Sequence, residues 1–234
     1  MTRSEQDTWE VYDQSLPFAG ARYGVHAVRM VVVGLGGDAL LVVSPGVPCS
    51  EARWEQVARW GKPRFLLAPN HFHNWGIRAW KDRFPDATVV AHPRAQRRLR
   101  RKLPGIPLED LSVLEAALPR GVRLLSPPMA RQGETWVSAP TPEGTAWFVT
   151  DGILNLTHLP PGLLRVVFWL LGYRTGLMTN PLFKRAFLTD QAAYKAWVEA
   201  ELDRDRPVLF VPSHGTVLRG NEVSDRLRGV TRVA

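Results

Sequence analysis

"FLLAPNHFHNWGI", Phe65 to Ile77, passes from a continuous apolar run into two histidines separated by one residue. The run "RFLLAP" is short and unbroken in its hydrophobicity, the pattern of a strand covered on both faces. His71 and His73 follow at its carboxyl end, where the loops of α/β sheets converge and where ligands and catalytic groups collect. Two readings of the pair are open: a metal-binding loop, or histidines hydrogen-bonded in place, with Asn74 capping a helix that begins at Trp75.

The surroundings of this stretch support an α/β assignment. "AVRMVVVGL" and "ALLVVSPG" are apolar, β-branched runs joined by "GGD", which marks a hairpin. The "GLGGD" joint is not a phosphate loop, because it connects two strands where a dinucleotide fingerprint needs a strand followed by a helix. "SEARWEQVARWG" reads as a helix with Ser50 as N-cap, Trp54, Val57 and Ala58 on one face, and Gly61 as its stop. "WGIRAWKDRFP" is helical and "ATVVAHP" is the next strand. Strands alternating with helices at this spacing imply an α/β sandwich.

The later part of the chain adds further strand ends. "GETWVSAP" and "TAWFVTD" alternate apolar and polar residues around "TPEG", the pattern of an antiparallel hairpin. With "TPEG" as a four-residue loop, Pro140 pairs with Thr145 and Glu134 falls opposite Asp151. Opposed like charges destabilise a sheet unless a cation turns repulsion into ligation. The alternatives are a solvent-exposed pair at a frayed hairpin end, or a register shifted by one residue. A Pro-rich, apolar segment runs from Leu156 to Phe187, then "TDQAAYKAWVEAELDRD" is a helix capped by Thr189 or Asp190. "PVLFVPSHG" is a final buried strand ending on His214. His71, His73 and His214 with two carboxylates offer the three to four N/O ligands that Zn²⁺ or a related cation takes. His26, His92 and His158 carry no such pattern and are read as ordinary hydrogen-bonded histidines.

Composition sets the outer limits. The chain has 234 residues, 45% of them hydrophobic, with nine tryptophans and one cysteine, Cys49. That supports a sizeable core, excludes disorder and excludes an intramolecular disulfide. The simpler domain reading is one domain over residues 1–234, since no repeat, low-complexity tract or Gly/Ser linker interrupts it. The net charge of +8 is uneven, because "PRAQRRLRRK", Pro93 to Lys102, holds six positive charges and no negative one. This run reads either as a solvated helix face or as a docking patch for phosphate, nucleic acid or anionic lipid. It has no interleaved aromatics, so nucleic acid is the least favoured partner. The N-terminus lacks an apolar signal-peptide core, and "LLRVVFWLLG", Leu163 to Gly172, is too short to span a bilayer. A cytoplasmic location is the expectation. The region around that apolar stretch reads either as core or surface-covering helix, or as a lid or interfacial helix admitting an acyl substrate, with peripheral membrane contact as one consequence.

The order of these motifs resembles the metallo-β-lactamase fold superfamily, whose chains carry a His-x-His-x-Asp-His loop after a buried strand, a bridging Asp ending a later strand, and a last His before Gly. More closely, "RMVVVGL…ALLVVSPG", "FLLAPNHFHNWGIRAWKDRFPDATVVAHP", "TAWFVTDGILN" and "VPSHG", from about Val28 to Gly215, resemble a divergent branch of it, a domain of unknown function. The resemblance implies a four-layer αβ/βα sandwich. It sets Gly76 on the glycine after the family loop, so that Pro69 and Asn74 stand at two ligand positions, with His71 and His73 at the other two. Asp151 matches the bridging Asp and His214 the last ligand, while Glu134 falls near a third histidine position. The expected site is one divalent metal, zinc with iron or manganese as alternatives, on His73, Asp151 and His214, with His71 or Glu134 as fourth ligand. Asp151 and Glu134 are the expected catalytic carboxylates. Asn74, Arg165 and Arg174 are expected at a small, anionic or acyl substrate. The implied activity is hydrolysis of a small ester, thioester, lactone or phosphoester. The alternative is a fold member that has lost its metal and serves as a binding or scaffold protein.

Overall fold

A computed structural model describes residues 9–13, 18–23, 28–47 and 49–232; His26 and the polar N-terminal residues 1–8 lie outside these. The chain divides into two compact units, Met1–Arg123 and Leu124–Ala234.

The first unit is built on a six-stranded sheet. Its strands are β1 (Glu10–Asp13), β2 (Phe18–Tyr23), β3 (Val28–Gly34), β4 (Ala39–Val43), β5 (Lys62–Ala68) and β6 (Thr88–Ala91), lying side by side in chain order. The β3–β4 hairpin turns at Gly36 and Gly37, both at positive φ, as the "GGD" joint predicts. From β4 the pairing becomes parallel, and helices α1 (Glu51–Trp60) and α2 (Ile77–Arg83) form the crossovers. Helix α3 (Pro93–Lys102) follows β6, and a short α4 (Leu111–Glu115) closes the unit. Ser50 Oγ caps α1 by accepting from the Arg53 amide, and Gly61 ends it at φ 149°. The buried face of α1 is Arg53, Trp54 and Val57; Ala58, expected inside, is exposed. Arg53 takes the inner place because its long stem packs among apolar groups while Nη1 donates to the Arg22 carbonyl. Val32, Val42, Leu66, Trp80 and Leu99 belong to one core cluster that carries sheet and helices together. Phe65, Leu66, Leu67 and Ala68 of β5 are all buried, so this strand is covered on both faces, as read from its unbroken apolar run.

The second unit holds a five-stranded sheet in the order β13-β12-β9-β8-β7 and a two-stranded ribbon. The sheet contains β7 (Arg123–Leu125), β8 (Trp136–Thr141), β9 (Gly144–Val149), β12 (Leu209–Pro212) and β13 (Leu218–Arg219). The ribbon pairs β10 (Ile153–Leu156) with β11 (Gly176–Thr179), and helix α5 (Leu163–Leu170) sits in the connection between them. The β8–β9 loop is two residues, Pro142 and Glu143, where four were expected, but Pro140 pairs with Thr145 as deduced. After a π-helical turn at Phe183–Phe187, α6 (Gln191–Asp205) is capped by Asp190, whose carboxylate accepts from the Ala193 amide. The chain does not finish at the "PVLFVPSHG" strand: β13 and α7 (Val223–Arg232) follow it. Trp136, Trp147, Tyr194, Val198, Phe210 and Leu227 form the core of this unit.

Candidate functional site

In the first unit the loop after β5 is held by side chains that the loop itself supplies. Asn70, fully buried, uses Oδ1 to accept from the amides of Phe72 (2.8 Å) and His73 (3.2 Å). This Asx-type turn orients the two histidines, and nothing in the sequence pattern singled out Asn70, whose Oδ1 accepts from the amide two residues on. Gly76 is required at the loop's exit, because its amide donates to the Pro45 carbonyl and a Cβ there would collide with that same oxygen. Trp80 Nε1 donates to the Gly46 carbonyl at 3.0 Å, fastening α2 to the same segment.

His73 is the histidine with a ligand-type support. Its Nδ1 lies 2.8 Å from Ser44 Oγ, so any ligand role falls to Nε2. Ser44 is fully buried and adopts φ 55°, an uncommon conformation for a residue with a side chain. Strain of this kind, of order 1–3 kcal/mol, tends to persist where the surroundings need a side chain held in one place. Nothing in the sequence marks Ser44 for this task.

His71 has a different environment. Arg98 Nη1, 2.8 Å away, can only donate, so His71 Nε2 accepts and its ring is neutral. Lys102 Nζ donates to the His71 carbonyl (2.9 Å) and sits 5.7 Å from the Phe72 ring. The basic run therefore has a structural use: Arg98 and Lys102, one turn apart on α3, clamp this loop. His71, expected as a possible fourth metal ligand, thus has one ring nitrogen engaged by Arg98. Asn74 does not cap the helix. Its amide donates to the carbonyls of His71 (2.8 Å) and Phe72 (3.1 Å), and the helix starts later, with Gly76 as cap position.

In the second unit, β9 and β12 run parallel and in register, with Val149 beside Pro212. Two residues beyond each of these partners stand Asp151 and His214, so register alone sets them side by side. Asp151 Oδ1 and His214 Nε2 are 3.2 Å apart, and both side chains are partly accessible. Two donors bound to one tetrahedral cation at about 2.0–2.2 Å would lie about 3.3–3.6 Å apart, a separation close to that of this pair. The His214 backbone is pinned because its carbonyl accepts from the Asn155 amide at 3.1 Å. Gly215, at φ 106°, passes so close to the Asn155 carbonyl that a Cβ would overlap it.

Glu134 is buried, and its carboxylate meets the backbone of the turn that carries Asp151. Its Oε1 accepts from Thr150 Oγ1 (2.6 Å), the Asp151 amide (2.8 Å), Trp136 Nε1 (2.9 Å) and the Gly152 amide (3.1 Å). Gln132 Nε2 donates to Oε2 at 3.3 Å. The carboxylate, expected as ligand or catalyst, thus anchors the turn that presents Asp151. Tyr194 is buried nearby, and burial first, then the Glu134 charge, pushes its hydroxyl well above the ordinary range. Arg174 Nη1 donates to the Trp169 and Tyr173 carbonyls, both at 2.7 Å, and Arg165 is exposed on α5. His92 accepts from the Arg94 amide, and His158 Nδ1 lies 3.0 Å from Thr157 Oγ1, both local bonds of the ordinary kind.

No family model matches the sequence, and no curated protein does either. Solved structures match along nearly the whole chain. The metallo-β-lactamase FIM-1 from Pseudomonas aeruginosa, in its mono-zinc form, superposes with a TM-score of 0.60 at 14% identity, covering 97% of this chain and 95% of that one. A metallo-β-lactamase from Erythrobacter litoralis, with β-mercaptoethanol in its active site, gives 0.56 at 14% identity over 100% and 99%. A putative diflavin flavoprotein fragment from Nostoc sp. gives 0.58 at 12% identity over 97% and 96%. The chain has the metallo-β-lactamase fold, an α/β architecture with two major sheets and flanking helices.

Proposed function

We propose that the protein is a metal-dependent hydrolase that holds one divalent cation on His73, Asp151 and His214 and acts on a small ester, thioester, lactone or phosphoester. What supports this reading is the pair in the second unit, Asp151 Oδ1 and His214 Nε2 at 3.2 Å, together with His73 of the first unit, whose Nδ1 is engaged by Ser44 so that Nε2 is left for a ligand role. Two imidazoles and one carboxylate suit zinc, with a fourth position left for water or substrate. The mono-zinc form of FIM-1 is a precedent for one metal on this fold. A bound divalent cation lowers the pKa of a coordinated water towards about 7 and polarises a carbonyl or phosphoryl oxygen. The chain's own residues supply the orientation: Ser44 holds the His73 ring through Nδ1, and Glu134 holds the Asp151 turn through two backbone amides.

A second reading is a binding protein of the same fold without catalysis. It is favoured by the loop positions given over to structure, since Asn74 ties carbonyls and His71 pairs with Arg98. Metal analysis of the purified full chain and of His214→Ala, with a panel of chromogenic esters and phosphoesters, separates the two. One metal per chain that is lost in the variant, together with turnover that requires metal, is the expected result. Substoichiometric metal in both proteins overturns the metal reading. Full metal loading without turnover on any substrate favours the second.

A further inference from the structure

We infer that α5 and the chain around it form a docking surface for an anionic lipid bilayer. Helix α5 reads LLRVVFWL and buries none of its residues. Eight of the twelve exposed large hydrophobics among the described residues lie between Leu163 and Leu182. Leu163 is 79% exposed, Leu170 69% and Trp169 53%. Soluble surfaces rarely gather apolar side chains in this way, and such a gathering marks an interaction site.

The character of the helix selects the partner. A helix that docks into a protein groove carries one apolar stripe and one polar face. Here apolar side chains are exposed all round, with Arg165 the single charge within the helix. A fluid lipid interface covers every side of a protruding element, whereas a second copy or a peptide covers one. No helix of the described residues is long and apolar enough to cross a membrane, so this element would lie in the interface.

Charge complementarity names the lipid class. From Gly152 to Thr189 there is no Asp or Glu, while Arg165, Arg174, Lys184 and Arg185 all fall within that stretch. Two of these cations are fixed at the carboxyl end of α5. Arg174 lies 4.8 Å from the Trp169 ring centre while bonding the Trp169 carbonyl, and Arg185 donates to the Leu171 carbonyl. Arginine beside tryptophan at the edge of an apolar element suits the headgroup level, where basic residues are drawn to anionic lipid. A cavity of about 380 Å³ opens in the same region, lined among others by Leu177, Met178, Lys184 and Arg185. Its apolar wall and two cations suit the upper part of one anionic lipid.

The test is vesicle flotation of the full chain with phosphatidylcholine alone and with phosphatidylcholine containing phosphatidylglycerol, alongside light scattering in solution. The wild type is expected to float with the anionic vesicles, to be released progressively by salt, and to float poorly with the neutral ones. Leu163→Glu with Leu170→Glu, at exposed positions, should lower the bound fraction at least tenfold without altering the circular dichroism spectrum. Arg165→Gln with Lys184→Gln should weaken the preference for anionic lipid. Failure of the wild type to float, or flotation of the double-Glu variant at the wild-type level, overturns the inference. So does a wild-type dimer that ignores vesicles and becomes monomeric in the double-Glu variant, since the occupant is then a second copy. None of these outcomes depends on metal.

Discussion

At Asp151 the side chain available for chemistry and the backbone that aims it have separate supports. The carboxylate meets His214, while the amide is held by Glu134. Glu134→Gln keeps the shape but replaces a charge-assisted acceptor with a neutral one facing five donors. Such bonds are worth about 1.5–3 kcal/mol each at most, and the isosteric amide retains part of them. We therefore expect a loss of about 1–3 kcal/mol in denaturant unfolding, measured without metal. A variant that lost only turnover and kept full stability would instead make Glu134 a catalytic base. Ser44 offers the complementary case. If it orients His73 for a metal, Ser44→Ala should weaken metal affinity about 10- to 100-fold, as loss of such an outer partner commonly does. Titration of zinc against a competing chelator measures this directly, and unchanged affinity would remove Ser44 from the site.

Among the elements, α3 combines a structural and an electrostatic task. Its N-terminus is capped by His92 Nδ1, which accepts from the Arg94 amide. That bond needs an unprotonated Nδ1. Burial, with the Arg94 charge as the next cause, holds His92 below its ordinary 6.5. A base whose folded value is depressed takes up its proton more readily in the unfolded chain. Its contribution is therefore intact above 6.5 and is lost as pH falls through the unfolded and then the folded value. Thermal unfolding between neutral pH and about pH 5 should show this decline, and His92→Asn, which keeps a cap and removes the titration, should lessen it. An identical acid decline in the variant would assign the effect to other groups. The opposite end of α3 carries Arg98 and Lys102, so fraying of this helix would also loosen the loop bearing His71 and His73.

For the molecule as a whole, the proposed ligands come from positions 73, 151 and 214, distant in the chain, so metal binding should stabilise the folded protein. Free zinc at about a hundred times its dissociation constant would add about 2.7 kcal/mol, an upward shift of roughly 5–10 °C for a chain of this size. Chelator treatment should reverse it. His214→Ala should abolish the shift, and a shift that survived in that variant would place the metal elsewhere. The exposed α5 has the contrary effect on solution behaviour, since its apolar side chains favour association wherever no lipid is present.

Much of this was legible from local pattern. Apolar runs, turn glycines and caps such as Ser50 and Asp190 act within a few residues, so the strands, most helices and the β8–β9 register follow from sequence alone. The placing of Asp151 and His214 at strand ends was legible for the same reason. Tertiary structure decided what each polar side chain is used for. Glu134 became a turn anchor because the donors of Thr150, Asp151 and Gly152 converge on it across the hairpin. His71 gained Arg98 as a partner because a distant helix brought it there, and α5 faces outward although its sequence is that of a core helix. Hydrophobic periodicity reports that a residue prefers to leave water; only the packed fold determines which partner, protein or lipid, receives it.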